Sequence, residues 1–451
     1  MQQGLTRTTA GAFAERNGWH SRVVNAGGAR IHLLEAGQGP LVLLCHGFPE
    51  SWYSWRHQIE ALADSGYRVA ALDMRGYGRS AHPERVDEYR LPALVADCVG
   101  VVEALGATNA VIVGHDWGAP VAWTSAWTRP DVFRAAVGLS VPFGGRAVVS
   151  LPTISTFGDL RPSVVHRYMA GGDPDVLFYQ ELFGIPGAVE AEAEENLREW
   201  LLGIYYSFSA SPPPPSGLAA MDLSKPEQVL AMTQASPACI RRGRRMRDGF
   251  AIPEHMPAWL TDEDIDIFAA ELEYTGLTGA LNYYRCLDLD WELLAPYEGR
   301  PVAVPTLFIG GSRDVATLWG LDALARAGEY LSDLRGAIIL DDCGHWVQQE
   351  NRRRRAKRSC GSSPNSSSNT GNKTNCGGYL ALHCRRKHAD FAPSRRVRCC
   401  VYWWVVTSST LCLQGMGRAD DGYDVRRLAQ RRARHHRHRP GVGTGRGRLR
   451  H

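Results

Sequence analysis

The chain reads as an α/β protein with a mostly parallel central sheet flanked by helices and interrupted by an inserted helical cap. Three observations carry that reading. Short apolar runs alternate with longer helical patterns up to about residue 142, which is how strand–helix–strand units look in sequence. From 145 to 295 the pattern turns helix-rich and carries loop markers, including four consecutive prolines at 212–215. Apolar runs of strand length then return at 306–309 and 337–340. Strand patterns on both sides of a helical insert mean one core interrupted by a cap, not two domains in series. The expected organisation is core at 1–144, lid at 145–295, second part of the core at 296–350, and a basic tail at 351–451. No internal repeat is visible.

The elements follow in order. Residues 41–45 are a near-continuous apolar run, as expected of a strand buried on both faces. Residues 55–62 read as a helix and 69–72 as the next strand. Residues 91–105 form an amphipathic helical pattern that Gly106 can close in a left-handed conformation. A strand at 110–113 runs directly into a helix at 117–128, and a further strand occupies 135–141.

Composition narrows the class. The 451 residues are 44% hydrophobic and 22% charged, which excludes a fully disordered chain. The net charge of +4 averages two unlike parts. Residues 351–451 hold 24 Lys and Arg against 4 Asp and Glu, a net of +20; the first 350 hold 27 against 43, a net of −16. The acidic body offers no electrostatic case for nucleic acid. No stretch approaches the ~20 apolar residues of a membrane span, and residues 1–20 lack the apolar run of a signal peptide. Five of the 11 cysteines (Cys45, Cys98, Cys239, Cys286, Cys343) are scattered through the body without paired spacing. That pattern suits a reduced, cytoplasmic enzyme better than a disulfide framework.

The chemistry concentrates at Gly114-His115-Asp116-Trp117-Gly118, where a strand meets a helix. This is the strand–turn–helix context of a nucleophile elbow, with Asp in place of the more familiar Ser. The glycines let the two backbones pack close around a strained turn, and the helix N-terminus stabilises negative charge there. A carboxylate, already ionised at neutral pH (reference pKa ~3.9), needs no base to attack an sp3 carbon, and the product is an alkyl ester that water must hydrolyse. On an ordinary ester the same attack would give an anhydride. Asp116 therefore points to epoxide opening or carbon–halogen displacement rather than esterase work. The bland alternative is a helix N-cap.

Supporting groups sit at other strand ends. His46-Gly47-Phe48-Pro49 follows the 41–45 strand, where a backbone amide can serve an oxyanion hole; Phe48 and Trp117 N–H are the candidates. A Gly-Pro turn without a chemical role is the alternative reading. His46, Pro49 and Trp117 are expected to line the substrate pocket. In this chain order the acid and the histidine come late. His345 follows the 337–340 strand and Asp314 follows the 306–309 strand, so Asp314 is the candidate to orient a basic His345. One His or Asp alone reads as a surface residue; three such groups at three strand ends are harder to dismiss. Asp341 and Asp342 read as structural.

These stretches together resemble the soluble epoxide hydrolases of the α/β-hydrolase fold, the bacterial and mycobacterial type above all. The matching segments are His46-Gly-Phe-Pro-Glu-Ser-Trp-Tyr-Ser-Trp-Arg-His57, Asp73-Met-Arg-Gly-Tyr-Gly-Arg-Ser80, Gly114-His-Asp-Trp-Gly-Ala-Pro120 and Gly344-His-Trp-Val-Gln-Gln-Glu350, and the resemblance spans about 25–350. It implies a catalytic triad, an epoxide and water as the small-molecule partners, no metal or organic cofactor, a detoxifying role, and two lid tyrosines that donate to the epoxide oxygen. Tyr179 and Tyr284 match that role, with Tyr283 the near alternative; lid packing is the bland reading of either. A homodimer is compatible with it. Two other functions stand beside this one. Haloalkane dehalogenases share Asp-Trp at the elbow, but commonly carry a halide-binding Asn or Glu where this chain has Phe48, and lack the tyrosine pair. A non-catalytic binding protein on the same fold need not keep Asp116, Asp314 and His345 together.

After Glu350 the family pattern calls for a helix packed over the last strands. The chain instead gives Asn351-Arg-Arg-Arg-Arg355, a Ser/Asn-rich run, scattered cysteines and Arg431-Arg-Ala-Arg-His-His-Arg-His-Arg439. Out-of-frame translation or a misjoined coding region explains this most completely; solvated disorder of genuine sequence and nucleic-acid binding are weaker readings. Cys376, His383, Cys384 and His388 fit no zinc spacing.

Overall fold

A computed structural model describes residues 9–148, 156–214, 221–223 and 225–350. The expectations for the basic tail, its cysteines and its histidines therefore fall outside the described residues. The frame is an eight-stranded sheet. Its strands are β1 (His20–Ala26), β2 (Ala29–Ala36), β3 (Leu41–Cys45), β4 (Arg68–Leu72), β5 (Ala110–His115), β6 (Phe133–Leu139), β9 (Val302–Gly311) and β10 (Leu331–Leu340). Across the sheet they lie in the order β1-β2-β4-β3-β5-β6-β9-β10. All pairs from β4 to β10 are parallel, while β1–β2 and β2–β4 are antiparallel. The α/β sheet expected from the alternation is thus present, and the strands run longer than their apolar centres suggest. The sequence reading begins the sheet at residue 41; the structure places a hairpin ahead of it. β1 is mostly exposed, so it lacks the apolar run that marks the buried strands.

The parallel strands are buried on both faces: every residue of β3 and β5 is buried. The helix Gly118–Thr128 behind β5 is buried along all but its last residue, consistent with an apolar composition on every side. A Cβ at Gly118 would run into the carbonyl of Cys45, and one at Gly114 into the backbone of Gly118. These two glycines bring β3, β5 and the helix together where Asp116 emerges. The helix Leu91–Ala104 ends just before Gly106, which adopts φ +69.

Between β6 and β9 the chain inserts a layer of short helices and a two-stranded sheet of β7 (Val176–Phe178) and β8 (Cys239–Arg241). The little sheet has no counterpart in the helical reading of this region; three-residue strands carry no periodicity to detect. Arg241 to Arg245 are exposed, and Arg245 pairs with Glu195. No helix among the described residues is long and apolar enough to cross a membrane.

Candidate active site

Parallel strands end on one side of the sheet, and that edge is where open α/β sheets collect their reacting groups. Phe48 follows β3, Asp116 follows β5, Ser140 follows β6, Asp314 follows β9 and His345 follows β10. The structure brings Asp116, Asp314 and His345 into one hydrogen-bonded chain.

Asp116 sits on the turn at φ +49, a left-handed conformation that a non-glycine residue adopts only at a cost. One carboxylate oxygen, Oδ1, accepts from Phe48 N at 2.7 Å; the other, Oδ2, lies 3.4 Å from His345 Nε2. A Cβ at Gly47 would collide with this carboxylate, so glycine there lets the Phe48 amide approach. Burial by itself pushes the Asp116 carboxyl up. The bond to His345, that ring's charge, His115 and the Phe48 amide outweigh it and hold the group below the usual carboxylate range.

His345 Nδ1 faces Asp314 Oδ1 at 3.0 Å and Ser140 Oγ at 2.9 Å. Asp314 is fully buried, and its carboxylate also accepts from Ala316 N at 3.1 Å and Thr317 Oγ1 at 2.8 Å. Burial opposes the charge on both residues. The Asp314 and Asp116 carboxylates prevail and raise His345 well above its ordinary value; His345, Ser140 and Thr317 in turn hold Asp314 down. Trp117 is the N-cap of the helix behind the turn, so the residue after Asp116, not Asp116 itself, takes the capping position.

The insertion roofs this edge and encloses a cavity of about 70 Å³. Asp116, His345, Phe48, Pro49, Trp117, Tyr179 and Tyr284 all line it, and its remaining walls are largely apolar and aromatic. Tyr179 opens the helix Tyr179–Gly184 and Tyr284 lies on the helix Thr278–Arg285. Their rings are 6.1 Å apart between centroids. Tyr284 packs edge-on against Phe183, Trp117 and Phe48, and Tyr179 stacks beside Trp319. The Tyr179 hydroxyl oxygen accepts from Gln180 Nε2 at 2.9 Å. Burial pushes both phenols up and Asp116's charge adds to it; the Gln180 amide at Tyr179 and the Trp117 indole beside Tyr284 act the other way. Tyr283 does not reach the cavity: its hydroxyl donates to the Arg75 carbonyl at 2.7 Å in the core.

One expected pocket residue is misplaced. His46 does not line the cavity. The turn after β3 sends Phe48 and Pro49 upward and buries His46 beneath them, where Nε2 accepts from Met74 N at 3.1 Å and Nδ1 donates to Gly47 O at 2.9 Å. Burial lowers its pKa, which keeps it neutral for this double bond. The Asp73–Ser80 segment is likewise scaffolding: buried Asp73 accepts from His32, Trp52 N and Arg79 N. Asp341 and Asp342 are exposed and outside the cavity.

Sequence reasoning left several site residues unassigned. Glu50 is buried and takes four donors: Gly47 N, His115 Nδ1, Gln348 Nε2 and Gln349 Nε2, at 2.8–3.2 Å. His115 Nε2 donates to the His345 carbonyl at 2.8 Å. A polar network thus runs beneath the catalytic edge from one motif to the next. The signal available was a Glu and a His inside otherwise apolar strand ends. Ser140, at φ +71, had no signal beyond its place at a strand end.

This geometry defines an α/β-hydrolase whose elbow carries a carboxylate. A family model described as alpha/beta hydrolase fold matches residues 40–165. Epoxide hydrolase B of Mycobacterium tuberculosis is 47% identical over 336 residues, 73% of this chain and 94% of that protein. Epoxide hydrolase A of the same organism is 38% identical over 340 residues, 73% and 92% of the two chains. Among solved structures, an epoxide hydrolase from an endophytic Streptomyces aligns at TM-score 0.64 and 46% identity, covering 74% of this chain and 91% of that one. Epoxide hydrolase A from Mycobacterium thermoresistibile aligns at TM-score 0.62 and 36% identity, with 74% and 94% covered. The chain belongs to the epoxide hydrolases of the α/β-hydrolase fold, and its activity is hydrolysis of an epoxide. Haloalkane dehalogenation is not favoured.

Proposed function

We propose that this enzyme converts an epoxide to a vicinal diol through an alkyl ester on Asp116, inside a cavity roofed by the lid at 145–295. The carrying observation is the division of labour on one carboxylate that lines the cavity: Oδ1 is held by the Phe48 amide while Oδ2 lies toward His345. Oδ2 bonds to an oxirane carbon, the ring C–O bond breaks, and the ring oxygen takes a proton from Tyr179 or Tyr284. The Tyr179 oxygen already accepts a bond from Gln180, so its own proton is directed away from that partner. Phenols raised by burial stay protonated and available at neutral pH.

Hydrolysis then uses the other half of the site. Esterification removes the Asp116 charge that helps hold a proton on His345, so the ring gives up its proton more readily and is available in neutral form when a base is needed. His345, oriented by Asp314, takes a proton from water as the water oxygen bonds to the ester carbon. The oxyanion forms on Oδ1, where the Phe48 amide already donates and the Trp117 amide is the second donor. The ester bond breaks, His345 protonates the departing diol oxygen, and the water's second proton returns to the phenol. The epoxide and water are the only partners required, without a cofactor or metal; the cysteine pattern supports a cytoplasmic setting.

Assaying diol formation from styrene-oxide-type substrates beside halide release from haloalkanes tests the reaction. Asp116→Asn should lose at least about 10⁴-fold in turnover while still binding substrate. Diol formation unchanged by that substitution contradicts the proposal.

A further inference from the structure

The loop that carries His345 is held on both flanks by one side chain. Glu350 closes the short helix Val347–Glu350 and its carboxylate is turned back under the loop. Oε2 accepts from Gly344 N at 3.0 Å and Ala210 N at 2.8 Å, and Oε1 accepts from Trp346 N at 3.0 Å. Gly344 and Trp346 are the residues on either side of His345, and Ala210 belongs to the lid. Burial prevails and raises the carboxyl above its usual range, although the three amides pull the other way.

The same lid segment is fixed to the same loop by further bonds. His345 N donates to Phe208 O at 2.9 Å, and the Trp346 indole donates to Tyr205 O at 2.7 Å. Arg313, next to Asp314, donates to Ala210 O and Pro212 O, both at 2.6 Å. A Cβ at Gly344 would collide with the backbone of Ser209 and Ala210. The base loop, the acid loop and this leg of the lid are therefore one packed unit, with a single carboxylate at its centre. An anion that receives three backbone amides is a rigid mount, and Glu350 makes no contact with the cavity.

We infer that Glu350 is a positioning residue for the hydrolytic half of the reaction, holding His345 at its working distance from Asp116 by pinning both flanks of its loop to the lid segment at 208–212. The inference rests on the proposed role of His345 as the base of ester hydrolysis. Because ring opening by Asp116 does not require that base, loss of Glu350 should slow ester breakdown and leave ester formation intact.

The test is acid-quenched single-turnover kinetics on the full chain, with the alkylated Asp116 peptide counted by mass spectrometry. In Glu350→Gln, a near-isosteric change that places an amide against three amide donors, ester hydrolysis should fall on the order of a hundredfold, the scale of a modest misplacement of a catalytic group. Ester formation should stay within about threefold of the parent, the ester should accumulate, and KM should fall with kcat. A residue of merely structural importance would lower both steps together, in proportion to folded protein; that result, or unchanged turnover, overturns the inference. Glu350→Asp keeps the charge with a shorter reach and should show the same imbalance at smaller size. If the Gln variant yields no folded protein, the Asp variant decides: excess ester supports the inference and the parent's partition overturns it. His345→Gln is the control for the underlying reading. If it accumulates ester and the Glu350 variants do not, only the role of Glu350 falls; if it accumulates none, the assignment of His345 falls and the inference with it.

Discussion

The strand-end groups and the lid groups of this site are held in opposite ways. Asp116, Asp314 and His345 are charged or chargeable, and each is held by hydrogen-bonding partners from the strand ends and the segments that follow them. Tyr179 and Tyr284 are neutral and are held mainly by rings. The difference follows from the cost of burying charge. A carboxylate in a dry site needs several donors to remain ionised, whereas a phenol that must keep its proton is served by an apolar surround that disfavours the phenolate. One cavity is thus lined by a carboxylate pulled down in pKa and by two phenols pushed up.

The largest break in this contrast comes from the charged side. Asp314→Asn should leave ester formation nearly intact and slow ester hydrolysis by about 10³- to 10⁴-fold, because the imidazole loses its orienting carboxylate. The pH dependence moves with it. In the parent, Asp314 raises His345, so hydrolysis of the ester should climb as rising pH removes the proton from His345. Removing the carboxylate should shift that limb to lower pH. Pre-steady-state measurement of ester decay against pH checks both; a limb that stays in place would separate Asp314 from His345.

The lid side should yield more gently. Tyr179→Phe and Tyr284→Phe should each slow ester formation by about 10- to 100-fold, since either phenol can still donate, and the double variant should approach the full ~10²- to 10⁴-fold worth of general acid catalysis. Rapid-quench rates of ester formation report it, with ester decay as the internal reference. Equal effects on both steps would remove the distinction between the two regions.

The smallest effect concerns the network beneath the charged groups. Glu50→Gln replaces the acceptor of four donors with one that can satisfy only part of them. Folding stability should drop by about 1–3 kcal/mol, the cost of leaving buried donors unmatched. Chemical denaturation measures it; a variant as stable as the parent would mean that solvent reaches the network.

Legibility in the sequence follows the same division. Asp116, Asp314 and His345 could be read because each directly follows an apolar run of strand length, and parallel strands must deliver their ends to one side. The lid tyrosines came through family resemblance alone, since no periodicity in short helices marks the face that meets a cavity. Tyr283 and Tyr284 are adjacent on one helix, about 100° apart around its axis, and only packing shows that the first points to Arg75 and the second to the cavity. Glu50 stayed hidden because its partners lie up to 299 residues away. His46 was misassigned because a turn reverses direction within two residues, which composition does not record. The N-terminal hairpin was marked after all by Gly27-Gly28 between Ala26 and Ala29, a two-residue turn at φ +63 and +109, although exposed β1 has no apolar run beside it.

Single-turnover reaction in ¹⁸O-labelled water tests the covalent route through Asp116 most directly. Hydrolysis at the ester carbon places the label in the Asp116 carboxylate and releases a first diol without it. Label in the first diol, with none in Asp116, would mean that water attacks the epoxide itself and would contradict the covalent account.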